Sequence, residues 1–272
     1  MNDTALLPIQ IQQDLMLAPY WMAARDGWID DTSNISLIAA SNPKQLANSH
    51  GIVMTDALVA SRLLDRWSIV ADHGAVWRRN SMLTMVTHDR PDNVEEAIAS
   101  VHSVSITGRA LAQAVIPEFY GISVSEWTDE DRNPDPETIR VTEGSDALLP
   151  GEDDRFYHED LGRAWFLMTD SAFVSNVCLV RNDSLQDAPE RVVRALDQLS
   201  RLLDGADEHR RELRRNISRD HDIDRELVVD ILDELTTSLD DNAIEGLRTL
   251  YIRSGVWSQS ALLPIVRRSD IR

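Results

Sequence analysis

Cysteine and lysine are the residues that this sequence has least of. Cys178 is the single cysteine among 272 residues, so an intrachain disulfide and a cysteine-based zinc site are both excluded. Its apolar surroundings predict a buried structural thiol. Lys44 is the single lysine, and 27 basic residues face 46 acidic ones, which leaves a net charge of −19. Because nucleic-acid binding requires clustered basic residues, we expect no nucleic-acid partner.

Long apolar runs and common catalytic motifs are also missing. No apolar stretch approaches the roughly 20 residues of a membrane span, which predicts a chain without one. The first segment, MNDTALLPIQIQQDLML, lacks the basic start and continuous apolar core of a signal peptide, so we expect a cytoplasmic protein. There is no G-x-G-x-x-G, G-x-x-x-x-G-K-[ST] or G-x-S-x-G motif, and the His residues show no metal-binding spacing. We therefore expect neither a metal ion nor another cofactor.

What the sequence does have is a globular composition and alternating strand and helix patterns. Hydrophobic residues make up 43% of the chain and charged residues 27%, which is typical of a folded protein. The runs ISLIAA, GIVM, WSIVADHGAVW and SMLTMVTH alternate with helical segments, which predicts an α/β fold with much parallel pairing. RPDNVEEAIAS is expected to begin a helix capped by Asp92. Three amphipathic segments after Arg181 predict three closing helices.

The segment SITGRA (105–110) joins a predicted strand to a predicted helix. Free N–H groups at a helix N-terminus attract anions, and small residues such as Ser105, Thr107 and Gly108 permit close approach. A ligand carboxylate would fit there. An ordinary turn whose Ser or Thr caps the helix is the alternative, and it stays open.

Two further segments carry candidate ligand-binding residues. MTDALVAS places Thr55 and Asp56 at the end of a predicted strand, where α/β proteins commonly bind ligands, although helix capping would explain the same residues. WRRN places Arg78 and Arg79 side by side in an acidic protein. They could pair with a substrate carboxylate or form surface salt bridges with the abundant acids.

A polar trio interrupts the apolar stretch HEDLGRAWFLMTDSAFVSNVCLVR (158–181). Thr169, Asp170 and Ser171 stand where aliphatic residues are expected. Buried polar groups require hydrogen-bond partners, and a bound ligand could supply them.

The same stretch carries a family resemblance. DLGRAWFLMTDSAFV (160–174) resembles the D-L-G-x-x-W-x-x-x-T-G-L-P-F-V signature of the menaquinone-biosynthesis family of the futalosine route (MqnA and MqnD). The segments at 42–61, 104–122, 145–153 and 244–255 are also similar to family segments. The matching signature residues are Asp160, Leu161, Gly162, Trp165, Thr169, Phe173 and Val174.

The resemblance implies a type II periplasmic-binding-protein fold, with two α/β lobes around a ligand cleft. Lobe one would comprise residues 1–80 and 181–272 and lobe two residues 81–180, with strands 81–88 and 173–180 crossing between them. The catalytic residues stay unassigned. The candidates for binding a ligand in the cleft are Thr55, Asp56, Arg78, Arg79, Ser81, Ser105, Thr107, Gly108, Thr169 and Ser171. Ser105, Thr107 and Gly108 would face Thr169 and Ser171 across it.

This chain departs from the family pattern in ways that leave two functions open. Chorismate dehydratases carry Y-L-N-x-x-P-L near the N-terminus, whereas LMLAPYWM here contains no Asn, and Asp170-Ser171-Ala172 replaces the family's G-L-P. One hypothesis is a protein that binds a chorismate-like carboxylate and, if it is an enzyme, acts as a cofactor-independent carbon–oxygen lyase. The other is a non-catalytic solute-binding protein or sensor. The partner is a small carboxylate in both cases, and the oligomeric state, a homodimer included, is left undetermined.

Overall fold

The computed structural model of this protein describes residues 6–39, 42–79, 81–148 and 155–272. In these ranges the strands are β1 (Ile9–Gln12), β2 (Ile35–Ile38), β3 (Ile52–Asp56), β4 (Trp67–Trp77), β5 (Leu83–Thr87), β6 (Glu96–Ser100), β7 (Ser123–Thr128), β8 (Thr138–Glu143), β9 (Tyr157–Asp160), β10 (Phe173–Arg181) and β11 (Ile265–Val266). The helices are α1 (Ala18–Arg25), α2 (Pro43–Leu46), α3 (Ala57–Ser61), α4 (Ile106–Phe119), α5 (Leu161–Thr169), α6 (Asn182–Asp187), α7 (Pro189–Glu208), α8 (Arg210–His221), α9 (Arg225–Glu234) and α10 (Asp241–Arg253).

The strands form two separate sheets, one for each predicted lobe. The first sheet has the order β11-β4-β10-β3-β1-β2, and the second has the order β7-β6-β8-β5-β9. Parallel pairs such as β1 with β2 and β3 lie beside antiparallel pairs such as β10 with β3 and β4. The predicted architecture of two α/β lobes is therefore what the chain adopts.

The chain passes between the sheets twice. It leaves the first sheet after β4 and returns to it at β10, which pairs along its length with β3 and β4. The lobe boundaries at 80 and 180 stay a prediction. Residues 173–180, which that prediction assigns to lobe two, pair with strands of the first sheet. The second sheet takes its strands from residues 83–160.

The core consists of apolar side chains packed on the sheets. Every residue of β3 is buried, as is all of β10 except Arg181, so both faces of these central strands are covered. Trp67, Trp77 and Trp165 are among the largest fully buried side chains. Each such side chain contributes roughly 1.5–3 kcal/mol through apolar burial. Cys178 is buried on β10, as predicted.

Two secondary-structure predictions were wrong or incomplete. Residues 96–100 form β6 and do not continue a helix from Asp92, because Ala97 and Ala99 alternate inward between two partner strands. The closing region also contains α8, whose sequence RRELRRNISRDH buries only Leu213, Asn216 and Ile217. The sequence of this helix contains few apolar residues, which lie on one face, and tertiary contacts hold the helix in place. The segment SDALLP (145–150), whose pattern also suggests a short strand, begins within a 3-10 turn at Gly144–Ala147, and residues 149–150 lie outside the described ranges.

Candidate functional site

Asp56 lies at the contact between the two lobes. It ends the fully buried strand β3, and its carboxylate accepts hydrogen bonds from the backbone N–H groups of Leu58 (2.9 Å) and Val59 (3.0 Å) at the start of α3. It is thus the N-cap of that helix. Neighbouring Thr55 is fully buried. The capping alternative for Asp56 is what the local structure shows.

The start of α4, in the second lobe, meets Asp56 directly. The Thr107 hydroxyl donates to the Asp56 carboxylate at 2.5 Å, and the Thr107 N–H donates to the same carboxylate at 3.3 Å. The Thr107 oxygen also accepts from the Leu58 N–H at 2.8 Å. Two segments predicted separately to bind a ligand therefore bind each other, and their hydrogen bonds join the lobes.

The N-terminus of α4 binds a carboxylate, and the protein supplies it. Glu143, the last residue of β8, accepts from the backbone N–H of Ser105 and from its hydroxyl, the latter at 2.8 Å. Gly108 makes room, since a Cβ at this position would lie 2.9 Å from a Glu143 carboxylate oxygen. The position predicted for a ligand anion is filled by a side chain in this closed arrangement.

Asp14 and Asn176 complete the polar cluster on the side of the first lobe. Asp14 follows β1 and caps a short 3-10 turn through the Met16 N–H at 3.0 Å. The Asn176 amide, on β10 directly opposite Asp56, donates to the Asp14 carboxylate at 3.3 Å. Asn176 is 1% exposed, and its amide oxygen is buried without a hydrogen-bond partner in the described part of the chain.

Burial is the main cause of the pKa shifts of the three carboxyl groups. Burial raises the pKa of Glu143 to about 8, and the charges of Asp14 and Asp56 act in the same direction, against the hydrogen bonds from Ser105. Burial likewise raises the pKa of Asp56 and of Asp14, against their own hydrogen bonds. None of the ion pairs found within the described residues involves any of the three. The cluster therefore gathers three buried carboxyl groups without a cationic partner among the described residues.

Ser81 lies at the crossing between the lobes and has a structural role. It is fully buried, its hydroxyl donates to Asp160 at 2.7 Å, and its oxygen accepts from the Gly162 N–H at 3.0 Å. Asp160 in turn caps α5. A Cβ on Gly162 would lie 2.3 Å from the Ser81 Cβ, so this position requires glycine. The D-L-G motif thus fastens α5 to the crossing segment.

The polar trio ends α5 and satisfies itself locally. The Thr169 hydroxyl donates to the Trp165 carbonyl at 2.8 Å and its oxygen accepts from the Ser171 N–H at 3.2 Å, while Asp170 has a left-handed backbone (φ 55°). Helix α10 packs closely beside it, because a Cβ on Gly246 would lie 3.3 Å from the Ser171 Cβ. The expected pairing of Ser105, Thr107 and Gly108 with Thr169 and Ser171 is therefore not what the contacts show.

Arg78 and Arg79 are exposed and already paired with acids of the closing region. Arg79 contacts Glu234 at 2.5 Å and Arg78 contacts Asp240 at 3.5 Å, the surface salt bridges left open by the sequence. A cavity of about 550 Å³ beside them is lined by both signs of charge.

Among the residues that the structure describes, no group of three or more His, Cys, Asp or Glu is placed to hold a metal ion. No described helix is long and apolar enough to cross a membrane.

Sequence reasoning missed Asp14, Glu143 and Asn176. A signal existed for the first two, since each follows or ends a strand, the same argument that selected Asp56. Asn176 lies in the middle of a buried strand, and its position opposite Asp56 follows only from strand pairing.

Comparison with known families and structures agrees with this architecture. A family model described as menaquinone biosynthesis matches residues 36–254. No relative with a curated description matches the sequence of this chain.

Solved structures with the same fold share little sequence. The Candida albicans CA3427 gene product, described as having the generic periplasmic-binding-protein fold, is 14% identical over 94% of this chain and 92% of that chain, with a TM-score of 0.63. Protein AF1704 from Archaeoglobus fulgidus is 15% identical over 92% and 96%, with a TM-score of 0.62. The alkanesulfonate-binding protein SsuA from Xanthomonas axonopodis pv. citri, bound to MOPS, is 10% identical over 96% and 97%, with a TM-score of 0.63. These similarities show the fold alone.

Proposed function

Since this chain belongs to the menaquinone-biosynthesis family, we propose that it binds a small organic molecule in the cleft between its two lobes. The observation that carries this proposal is the polar cluster at the interlobe contact. Asp56 from one lobe and Thr107 from the other are both nearly fully buried and bonded to each other. Burying polar groups between two lobes costs free energy that apolar packing would not. Such a contact suits a cleft that opens and closes.

The polar cluster at the interlobe contact is partly accessible to solvent. Asp14, Ser105 and Glu143 are partly exposed, while Asp56 and Asn176 lie deeper. Polar groups arranged around a buried floor fix the orientation of a small ligand. The solute-binding names of structural neighbours, such as the alkanesulfonate-binding protein, support a binding role for the same cleft.

A second candidate is a chorismate-dehydratase-type lyase, which the family match favours. Such an enzyme removes water from a ring, so one group must take a ring proton and another must protonate the departing hydroxyl. Asp14, Asp56 and Glu143 are titratable groups at the cleft that could serve. A chorismate-like carboxylate would, however, have to displace Glu143 from Ser105 or lie beside the three acids.

The binding proposal is tested by scattering and calorimetry on the intact chain. We expect a ligand found by thermal-shift screening of small metabolites to reduce the radius of gyration, because it closes the lobes. Thr107→Val, which removes the hydroxyl between the lobes, should weaken the binding of that ligand. Thr236→Val, outside the cleft cluster, should leave the binding unchanged. A ligand that binds both variants equally and leaves the radius unchanged would place the site elsewhere.

The lyase candidate has its own test. Purified protein is incubated with chorismate, and the product is followed by mass spectrometry. A carboxyvinyloxybenzoate, lighter than chorismate by one water, would establish the dehydratase. Unchanged chorismate at high protein concentration would reject the lyase and leave the binding proposal intact.

A further inference from the structure

Acidic side chains from both lobes meet at the interlobe contact. Asp14 follows β1 and Asp56 ends β3 in the first lobe, while Glu143 ends β8 in the second. The 3-10 turn that Asp14 caps packs against the 3-10 turn that follows Glu143. The charges of Asp14 and Asp56 both act on Glu143, and all three side chains are buried or half-buried. Three carboxyl groups from two lobes therefore share one contact with little access to water.

The groups that bond these acids are neutral. The Thr107 hydroxyl of the second lobe donates to Asp56 at 2.5 Å. The Ser105 hydroxyl donates to Glu143 at 2.8 Å, and Asp14 accepts from a backbone N–H and a side-chain amide. In the described ranges no arginine or lysine forms an ion pair with the three acids. A carboxylate loses its hydration when the lobes close on it, and no cation compensates, so closure favours the protonated form.

Other titratable groups near the contact do not supply the missing positive charge. His221 on α8 is close enough to act on Asp14, but burial lowers the pKa of His221, so the imidazole is neutral near pH 7. Arg25 and Asp220, which also act on His221, pair with each other at 2.9 Å. Tyr251 on α10 is fully buried, and burial raises its pKa, so its phenol is uncharged as well.

We propose that the interlobe contact is a pH-sensitive switch, which closes when Asp14, Asp56 and Glu143 hold protons and opens when they ionise. Ionisation places negative charges of the first lobe beside a negative charge of the second, and these charges repel each other. Opening separates the charges and returns water to each carboxylate. The proposal rests on the proposed binding function, because the same contact closes the cleft, and it specifies how that closure is regulated.

The direction of the pH dependence follows from proton linkage. In the closed protein burial raises the pKa of Glu143 to about 8, whereas solvent in the open protein returns the pKa toward its ordinary value of 4.5. A proton held only in the closed state favours closure at low pH, and this contribution is lost as the pH rises through about 8. Between about pH 6 and pH 9 the equilibrium constant for closure should fall roughly ten- to one hundredfold, the larger figure applying without solvent screening.

The test is small-angle scattering of the intact, ligand-free chain across this pH range, with tryptophan fluorescence to show that the chain stays folded. We expect the radius of gyration to increase toward alkaline pH. Glu143→Gln and Asp56→Asn keep the size of each side chain but cannot ionise, so each should reduce the increase. Glu208→Gln, at an exposed position, removes the same charge outside the contact and should leave the increase unchanged. Thr107→Val weakens closure at every pH, so it should open at lower pH than the native chain.

Two results would overturn the switch. One is a radius that is independent of pH in both the native chain and Thr107→Val. The other is an increase that Glu143→Gln and Asp56→Asn leave unchanged, which would trace it to the overall charge of the surface. If Thr107→Val or a screened ligand changes the radius by the same amount at every pH, the lobes move without a pH switch and the proposed function stands. If pH, Thr107→Val and ligands all leave the radius unchanged, the proposed function fails as well.

Discussion

Replacing Glu143 by glutamine should make the protein less stable at acidic pH and more stable at alkaline pH. In the folded chain burial raises the pKa of Glu143 from 4.5 to about 8. Between these values the folded state keeps a proton that the unfolded state has released, so native stability falls as pH rises. Glutamine cannot titrate and should remove this contribution to the slope.

The magnitude follows from the size of the pKa shift. Each pKa unit corresponds to about 1.4 kcal/mol, so the full shift would cost about 5 kcal/mol above pH 8. Glu143 keeps some contact with solvent, which screens the interaction, so we expect roughly 2–3 kcal/mol. Glutamine also loses one acceptor toward Ser105, at a cost of about 1 kcal/mol at every pH. The variant should therefore be less stable by about 1 kcal/mol near pH 4 and more stable by about 1–2 kcal/mol near pH 9.

The assay is urea unfolding followed by tryptophan fluorescence at several pH values between these limits. Glu208→Gln, at an exposed position, is the control and should change stability little at any pH. A difference between Glu143→Gln and the native chain that stays constant with pH would refute the reasoning. It would mean that Glu143 is ionised in the folded chain at neutral pH.

Three further predictions concern positions whose contacts are defined by the structure. Thr107→Val leaves Asp56 without its closest donor, so we expect a loss of about 1–3 kcal/mol in urea unfolding and a larger radius of gyration in scattering; an unchanged radius would argue against its role in closure. Gly162→Ala should lower the free energy of unfolding by about 1–3 kcal/mol, because its new methyl group meets the Ser81 side chain, and adding Ser81→Gly should offset part of that loss; strictly additive effects would contradict this contact. The Cys178 thiol, fully buried and with its pKa raised by burial, should react with Ellman's reagent only after unfolding, and prompt reaction of the native chain would contradict its placement.

The helix starts and turns of this protein could largely be predicted from its sequence. Asn42 followed by Pro43 predicted the start of α2, and the turn from strand to helix at Asp56 lies where the residue types placed it. Such features depend on short-range hydrogen bonds, so neighbouring residues are enough to specify them. The two-lobe architecture was implied by the family resemblance of the signature at 160–174, and the D-L-G part of that signature packs α5 against the crossing segment.

Errors arose where a local pattern had more than one solution. Residues 92–95 have the spacing of a capping box, yet the chain continues into β6, since pairing with β7 and β8 outweighs a cap. The polar trio at 169–171 was expected to face a ligand, although a helix C-terminus can satisfy the same groups through its own carbonyls.

The chemistry of the cleft was decided by tertiary structure alone. The sequence by itself determined that Ser105, Thr107 and Gly108 begin a helix whose N-terminus attracts a carboxylate. It could not determine that Glu143, 38 residues along the chain from Ser105, would supply that carboxylate. Nor could it show that Asn176 on a returning strand would align with Asp56. Electrostatic interactions depend on distance in space, and folding brings together acids that the chain keeps far apart.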